Sequence, residues 1–290
     1  MDLSEFNKRI EIIASDKQSG AFNLCLKTAE IFRDASTHTL PADFESLIDR
    51  AFAAISRSHA EMPSLLNLLN IIRGIRHRNE PQNLLFGSLQ SLIGELSGSA
   101  AKVAGAAYPI LSKYDHFLSI SNSGLVAAAF KNLEGRRRDL TVYICESRPG
   151  DESIKMAERL LRSGIEAVII PDSSVASIID SRYCVIIGCD AVSPTHFRNK
   201  IGSLQLALIA DAIKAPFFVL ADMLKFVDDI TAIKKPSELI YKGDDGLKHY
   251  RRFFEDVPIS LASVIITPDG LKDPRDIPQY IKEIENASRY

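Results

Sequence analysis

The chain has 290 residues, enough for two domains of ordinary size. Hydrophobic residues make up 46% and charged residues 25%, and the net charge of −2 gives no global basic field for nucleic acid. No run reaches the ~18 apolar residues that a bilayer crossing needs, and the charged start "MDLSEFNKRIEIIASDKQSG" has no signal-peptide core. These properties predict a soluble cytoplasmic protein with no membrane and no direct nucleic-acid partner. The four cysteines (Cys25, Cys145, Cys184, Cys189) have no CxxC spacing, and the six histidines have no ligand-like spacing. Disulfides and structural zinc are therefore not expected, and no cofactor is implied. The one dense basic run, Arg136, Arg137 and Arg138, reads as a solvated helix end or loop.

Residues 1 to about 112 read as helical. In "SGAFNLCLKTAEIFRDAS", Ala21, Leu24, Cys25, Ala29 and Phe32 recur at helical spacing. "PADFESLIDRAFAAISRSH" repeats the pattern, with Pro41 and Asp43 suited to a first turn. "PSLLNLLNIIRGIRH" and "EPQNLLFGSLQSLIGELSGSAAKVAGAAYPILSKY" complete the helical set.

From residue 113 to 290 the pattern changes. Short runs rich in Val and Ile ("HFLSI", "LTVYIC", "EAVII", "YCVIIG", "PFFVLA", "SVIIT") alternate with helix-length amphipathic segments. Near-continuous apolar strands alternating with helices predict a parallel sheet covered on both faces. The fold class is thus α/β, with a helical N-terminal domain at 1–112 and a parallel-sheet domain at 113–290. Such sheets bind ligands at the carboxyl ends of their strands.

The strand ends are polar. After "HFLSI" stand Ser121, Asn122, Ser123 and Gly124, either an anion-binding turn at a helix N-terminus or a plain N-cap. After "LTVYIC", Arg148 can fork to a phosphate or pair with Glu146 or Asp151. Pro171, Asp172, Ser173 and Ser174, after "EAVII", read as a helix cap. Asp190 follows "YCVIIG", with Asn199 and Lys200 before the next helix; the group suits an anionic, hydroxyl-rich ligand or a capped helix with an ion pair. Asp222, after "PFFVLA", binds a ligand hydroxyl or caps a turn. Together these ends point to a phosphorylated-sugar pocket. No GxGxxG, GxxxxGK[ST] or GxSxG motif is present.

The order of motifs resembles the family that joins the α, β and δ subunits of eukaryotic translation initiation factor 2B with two isomerases, acting on methylthioribose-1-phosphate and ribose-1,5-bisphosphate. "ESRP" is similar to its E-[TS]-R-P. "GCDAVSPTHFRNKIGSLQLALIADAIKAPFFVLADMLKF" resembles its G-A-D, N-K-I-G-T and P-F-Y-V segments, and "FFEDVPISLASVIITPDG" its F-E-x-[VI]-P and closing segment. "DKQSGAFNLCLKTAEIF" resembles the start of the factor-type subunits.

The resemblance implies a helical domain followed by a Rossmann-like domain that dimerises. It makes Asp190 the catalytic aspartate, Asn199 and Lys200 the ligand-binding pair, and Arg148 the arginine of E-[TS]-R-P. The turn Ser121–Asn122–Ser123–Gly124 matches the loop that carries the isomerases' catalytic cysteine, with Ser121 at the cysteine position. The family's Asn-Gly turn between Asp190 and Asn199 is replaced by "SPTHF". Two readings follow. One is a factor 2B subunit-like protein that binds a phosphorylated sugar or nucleoside monophosphate in a regulatory or residual active site. It would act as a homodimer or higher homo-oligomer, with a translation factor as possible partner. The other is an intramolecular aldose–ketose isomerase of the ribose-1,5-bisphosphate type, with Asp190 and Ser121 in the catalytic positions.

Overall fold

The computed structural model describes residues 1–16, 20–37, 41–60, 62–78, 82–135, 140–230, 233, 238–243 and 245–289. The basic run Arg136, Arg137 and Arg138 lies outside the described residues. Two compact units form: Met1–Ser99 with Ile281–Tyr290, and Ala100–Tyr280.

The first unit holds α1 (Leu3–Ser15), α2 (Ala21–Ser36), α3 (Pro41–Ser58), α4 (Pro63–Arg78) and the start of α5 (Gln82–Leu111). Asp2 starts α1 by accepting the Glu5 N–H at 2.8 Å. The apolar faces close on Phe6, Phe32 and Phe44, whose rings meet edge-on at 5.3 and 5.6 Å. The helices fall where the periodicity places them.

The second unit runs β1 (His116–Ile120), α6 (Gly124–Glu134), β2 (Thr141–Cys145), α7 (Ser153–Arg162), β3 (Glu166–Ile170), α8 (Val175–Ile178) and β4 (Tyr183–Gly188). A hairpin of β5 (Ala191–Val192) and β6 (His196–Lys200) follows, then α9 (Ser203–Ile213) and β7 (Phe217–Leu220). A second hairpin, β8 (Glu238–Lys242) and β9 (Lys248–Arg252), precedes β10 (Phe254–Pro258), β11 (Val264–Thr267) and β12 (Gly270–Lys272). The last helix is α10 (Ile277–Arg289).

The six Val/Ile-rich runs become β1, β2, β3, β4, β7 and β11, all parallel. With antiparallel β12 they make a seven-stranded sheet in the order β3-β2-β1-β4-β7-β11-β12. The chain reverses direction across the sheet between β1 and β4. Phe117, Val142, Ile144, Cys184, Ile186 and Phe218 from the strands pack with Val126, Phe130 and Leu160 from the helices.

The segment between Asp190 and α9 departs from the alternating pattern. Asn199 and Lys200, ahead of α9, end strand β6, which lies between β5 and β10 in a separate antiparallel sheet. Ser193 closes the hairpin turn that lacks the Asn-Gly pair. Its N–H donates to the His196 carbonyl at 2.8 Å, and its Oγ accepts from the His196 N–H at 3.1 Å. Arg198 is fully buried and forks onto Asp256 of β10 at 2.7 and 3.1 Å.

Asp256→Ala takes the carboxylate away from a buried guanidinium and is expected to cost about 3 kcal/mol. Replacing both partners, as Arg198→Met with Asp256→Leu, is expected to cost less than the single change. Urea unfolding of the two variants reads the difference.

Candidate functional site

The carboxyl ends of β1 and β4 flank the point where strand order reverses, the place where open α/β sheets hold ligands. Ser119 of β1 ties the strands by donating to the Ile186 carbonyl at 2.8 Å. Gly188 is required here, because a Cβ at that position would collide with the Ser123 side chain. Ser123 caps α6, accepting the Val126 N–H at 3.4 Å, and Gly124 opens the helix. The plain-cap reading thus describes Ser123.

Ser121 adopts a left-handed backbone, φ 68°, and its N–H donates to Ser147 Oγ at 2.7 Å. Ser147, beyond β2, is also left-handed at φ 67° and fully buried. Such conformations cost a residue with a Cβ about 1 kcal/mol or more. The Pro171–Ser174 stretch does cap helical turns, and Asp172 does something further. Pro171 holds the cap position, and the Asp172 carboxylate accepts the N–H groups of Ser147 and Arg148, each at 2.9 Å. The Arg148 guanidinium takes the surface-pair alternative: it is largely exposed, 3.1 Å from Asp151 and 3.5 Å from Glu146.

The backbone N–H of Asp190 donates to the Arg198 carbonyl at 2.8 Å, so hairpin strand β6 holds Asp190 at the end of β4. Its carboxyl group accepts no hydrogen bond among the described residues. Burial raises its pKa; Lys225 and Arg198 oppose the rise, while Asp222 and Glu152 add to it. Asp222 also resolves as a turn cap, accepting the Leu224 N–H at 3.0 Å.

The Asn-Lys pair is buried and engaged. Asn199 Nδ2 donates to Ser203 Oγ at 2.8 Å. Lys200 pairs with Glu152 at 3.0 Å and lies 5.1 Å from the centre of the Phe253 ring. The start of α9 is occupied as well: Glu255 Oε1 accepts the Gly202 and Leu204 N–H groups at 2.7 and 2.9 Å. A cleft of 580 Å³ adjoins it, walled by Arg148, Asp172, Gly202, Gln205 and Glu255 with Leu208 at its edge.

The structure thus draws Asp190 into one charged group with Glu152, Arg198, Lys225 and Asp222, and reaches Lys200 through Glu152. Ser121 is tied instead to Ser147 and Asp172, and Arg148 faces the neighbouring cleft. Glu152, Lys225, Arg198 and Glu255 do not stand out in the sequence. Arg198 and Lys225 lie inside the quoted "GCDAVSPTHFRNKIGSLQLALIADAIKAPFFVLADMLKF" and Glu255 in "FFEDVP", but none of them is marked there by its position at a strand end. Among the described residues, no group of three or more His, Cys, Asp or Glu is placed to hold a metal ion.

All four cysteines are buried free thiols. Burial pushes Cys145 up to about 12. Cys189, the neighbour of Asp190, is raised by burial too and donates to the Leu220 carbonyl at 3.5 Å.

Residues 17–274 match the sequence pattern of the Initiation factor 2 subunit family. The chain belongs to that family. Its relatives carry both kinds of name. The ribose 1,5-bisphosphate isomerase of Methanocaldococcus jannaschii is 25% identical over 250 residues, covering 82% of this chain and 81% of the relative. Translation initiation factor eIF2B subunit alpha of Caenorhabditis elegans is 22% identical over 254 residues, covering 83% and 82%. The crystal structure of Pyrococcus horikoshii translation initiation factor eIF-2B superposes with a TM-score of 0.82 at 22% identity, over 94% of this chain and 98% of that one. At that identity the likeness shows the fold alone. Family membership therefore spans factor subunits and sugar-phosphate isomerases.

Below its ordinary value of 3.8, Asp190 is protonated in the folded and unfolded chain alike and has no effect on stability. Stability is lost as pH rises through the raised folded value, because the fold disfavours the ionised form. Asp190→Asn is therefore expected to raise Tm at pH 8 by about 2–4 °C for each ~1 kcal/mol relieved, with the gain shrinking toward pH 4.5. Thermal scans of both proteins across that range check it.

Proposed function

We propose that this protein is an initiation factor 2B subunit-like binding protein whose switch-point pocket holds a phosphorylated sugar or nucleoside monophosphate without fast turnover. It works in the cytoplasm as a homodimer or higher homo-oligomer, with a translation factor as its protein partner. The observation that carries this reading is the make-up of the two strand ends: at Asp190 a carboxyl group that accepts no hydrogen bond among the described residues, and at Ser121 a serine, not a thiol. Aldose-to-ketose conversion opens the sugar ring and then moves a hydrogen from C2 to C1. A thiol titrates near 8.5 and can exchange a proton at neutral pH, whereas a serine hydroxyl is a far weaker acid. None of the four cysteines takes the thiol's place, since each is buried and Cys189 is bonded to the Leu220 carbonyl.

The binding half of the reading rests on a polar centre at a sheet position that favours ligands. Lys200 and Arg148 each already have carboxylate partners, Glu152 for one and Glu146 with Asp151 for the other. A phosphate therefore displaces or adds to these pairs rather than meeting bare cations.

One observation favours a slow isomerase instead. Burial raises the pKa of Asp190, which is what an acid–base carboxyl needs for proton transfer to a ring oxygen. The two readings separate on incubation of the purified protein with ribose-1,5-bisphosphate. The binding reading expects no ribulose-1,5-bisphosphate, together with a rise in Tm from ribose-1,5-bisphosphate, ribose-5-phosphate or AMP. Product formation that Asp190→Asn abolishes would establish the isomerase. A flat Tm with all three compounds and no product would sink both.

A further inference from the structure

We infer that Ser147 and Asp172 are positioning residues of the switch-point site, holding the Ser121 turn in its binding shape before any ligand arrives. The inference rests on the pocket reading above and names the parts that would make that pocket rigid.

The relay crosses three adjacent strand ends. Asp172, after β3, accepts the Ser147 N–H with Oδ1 and the Arg148 N–H with Oδ2. Ser147, after β2, accepts the Ser121 N–H with its Oγ and donates the hydroxyl proton to the Cys145 carbonyl at 3.0 Å. Every polar group of this path is engaged in one direction. Both carboxylate oxygens receive main-chain donors, and the serine hydroxyl has its proton assigned to Cys145. An ionised carboxylate accepting two main-chain N–H groups is stronger than a neutral acceptor and fixes both donors. Neither residue at the two left-handed positions is a glycine. Without a bond that requires the turn, each would relax to negative φ.

This has a consequence for binding. The left-handed turn at Ser121 sets the direction in which Asn122, Ser123 and Gly124 leave β1. Ser123 is separately anchored, as the cap of α6 packed on Gly188. Ser121 and Asn122 thus stand between two fixed points, and the relay is one of them. Loss of the Ser147 hydroxyl removes that point while leaving the core strands and the α6 cap intact. Ligand binding would then have to order the turn, and affinity falls by the cost of ordering it. A residue that only supported the fold would lower Tm instead and leave affinity alone.

The test uses the full-length chain with ribose-1,5-bisphosphate, ribose-5-phosphate and AMP as probes, followed by calorimetry and by Tm without ligand. Ser147→Gly deletes the hydroxyl while keeping the left-handed backbone accessible. It is expected to weaken the best-bound probe about tenfold or more, the loss of one hydrogen bond's worth of ordering, with a fall in ligand-free Tm of only a few degrees. Hydrogen exchange at the Ser121 amide is expected to speed up in the same variant. The control is Ser153→Ala, which removes a bond from the first residue of α7 to the Glu146 carbonyl of the Ser147 loop but lies outside the relay; its affinity stays at the wild-type level. If Ser147→Gly does not fold, Asp172→Asn, which keeps one acceptor oxygen, takes its place with a smaller expected loss of affinity.

Equal affinity in wild type and relay variants overturns the assignment while leaving the pocket reading standing. Equal losses in Ser147→Gly and Ser153→Ala overturn it too, since the loop would then act only as scaffold. A wild-type protein that binds none of the probes overturns the pocket reading, and the assignment with it.

Discussion

Reversal of strand order between β1 and β4 is the constraint on which the rest of the molecule depends. The strand order sends the chain from β1 toward β2 and β3 on one side, and from β4 toward β7 and β11 on the other. The connections after β1 and β4 therefore lead away from each other, which leaves a crevice between the two strand ends. Main-chain groups in that crevice need partners from elsewhere. The turn at Ser121 finds one in Ser147, Asp190 finds one in Arg198, and the start of α9 finds one in Glu255. Each partner comes from a different segment, so the crevice is assembled by the whole second unit.

Charge balance is the second theme. The acidic residues around the crevice are matched one by one: Asp256 to Arg198, Glu152 to Lys200, Glu255 to the α9 N–H groups and Asp172 to two main-chain donors. Asp190 stands apart, because its carboxyl group has charged neighbours but no hydrogen-bond donor among the described residues. A raised pKa follows from that position. Keeping such a group is costly for stability, and sites of this kind are where function overrides the fold's own optimum.

The central sheet was legible because buried parallel strands need apolar side chains on both faces. That requirement wrote β1, β2, β4, β7 and β11 into the sequence as Val/Ile runs. The hairpin of β5 and β6 was not legible. β5 spans only Ala191–Val192, and "HFRNK" carries charges that are buried only because Asp256 and Glu152 arrive from distant segments. The second role of Asp172 was not legible for a related reason. Local chemistry fits a cap at the end of β3, but its two donors come from the loop after β2, more than twenty residues earlier. Ser121, Asp190, Asn199, Lys200 and Arg148 could be picked out as polar strand-end residues. Their contacts with Ser147, Lys225, Glu152 and Glu255 could not, since those exist only after the chain has folded.

The central claim is that the crevice between β1 and β4 holds a phosphorylated, hydroxyl-bearing ligand. A crystal structure of the protein soaked with ribose-1,5-bisphosphate tests it most directly. The account predicts the sugar between the Ser121–Gly124 turn and Asp190, with the Ser121 backbone unmoved. A ligand lying only in the cleft between Arg148 and Leu208, away from Asp190, would contradict it.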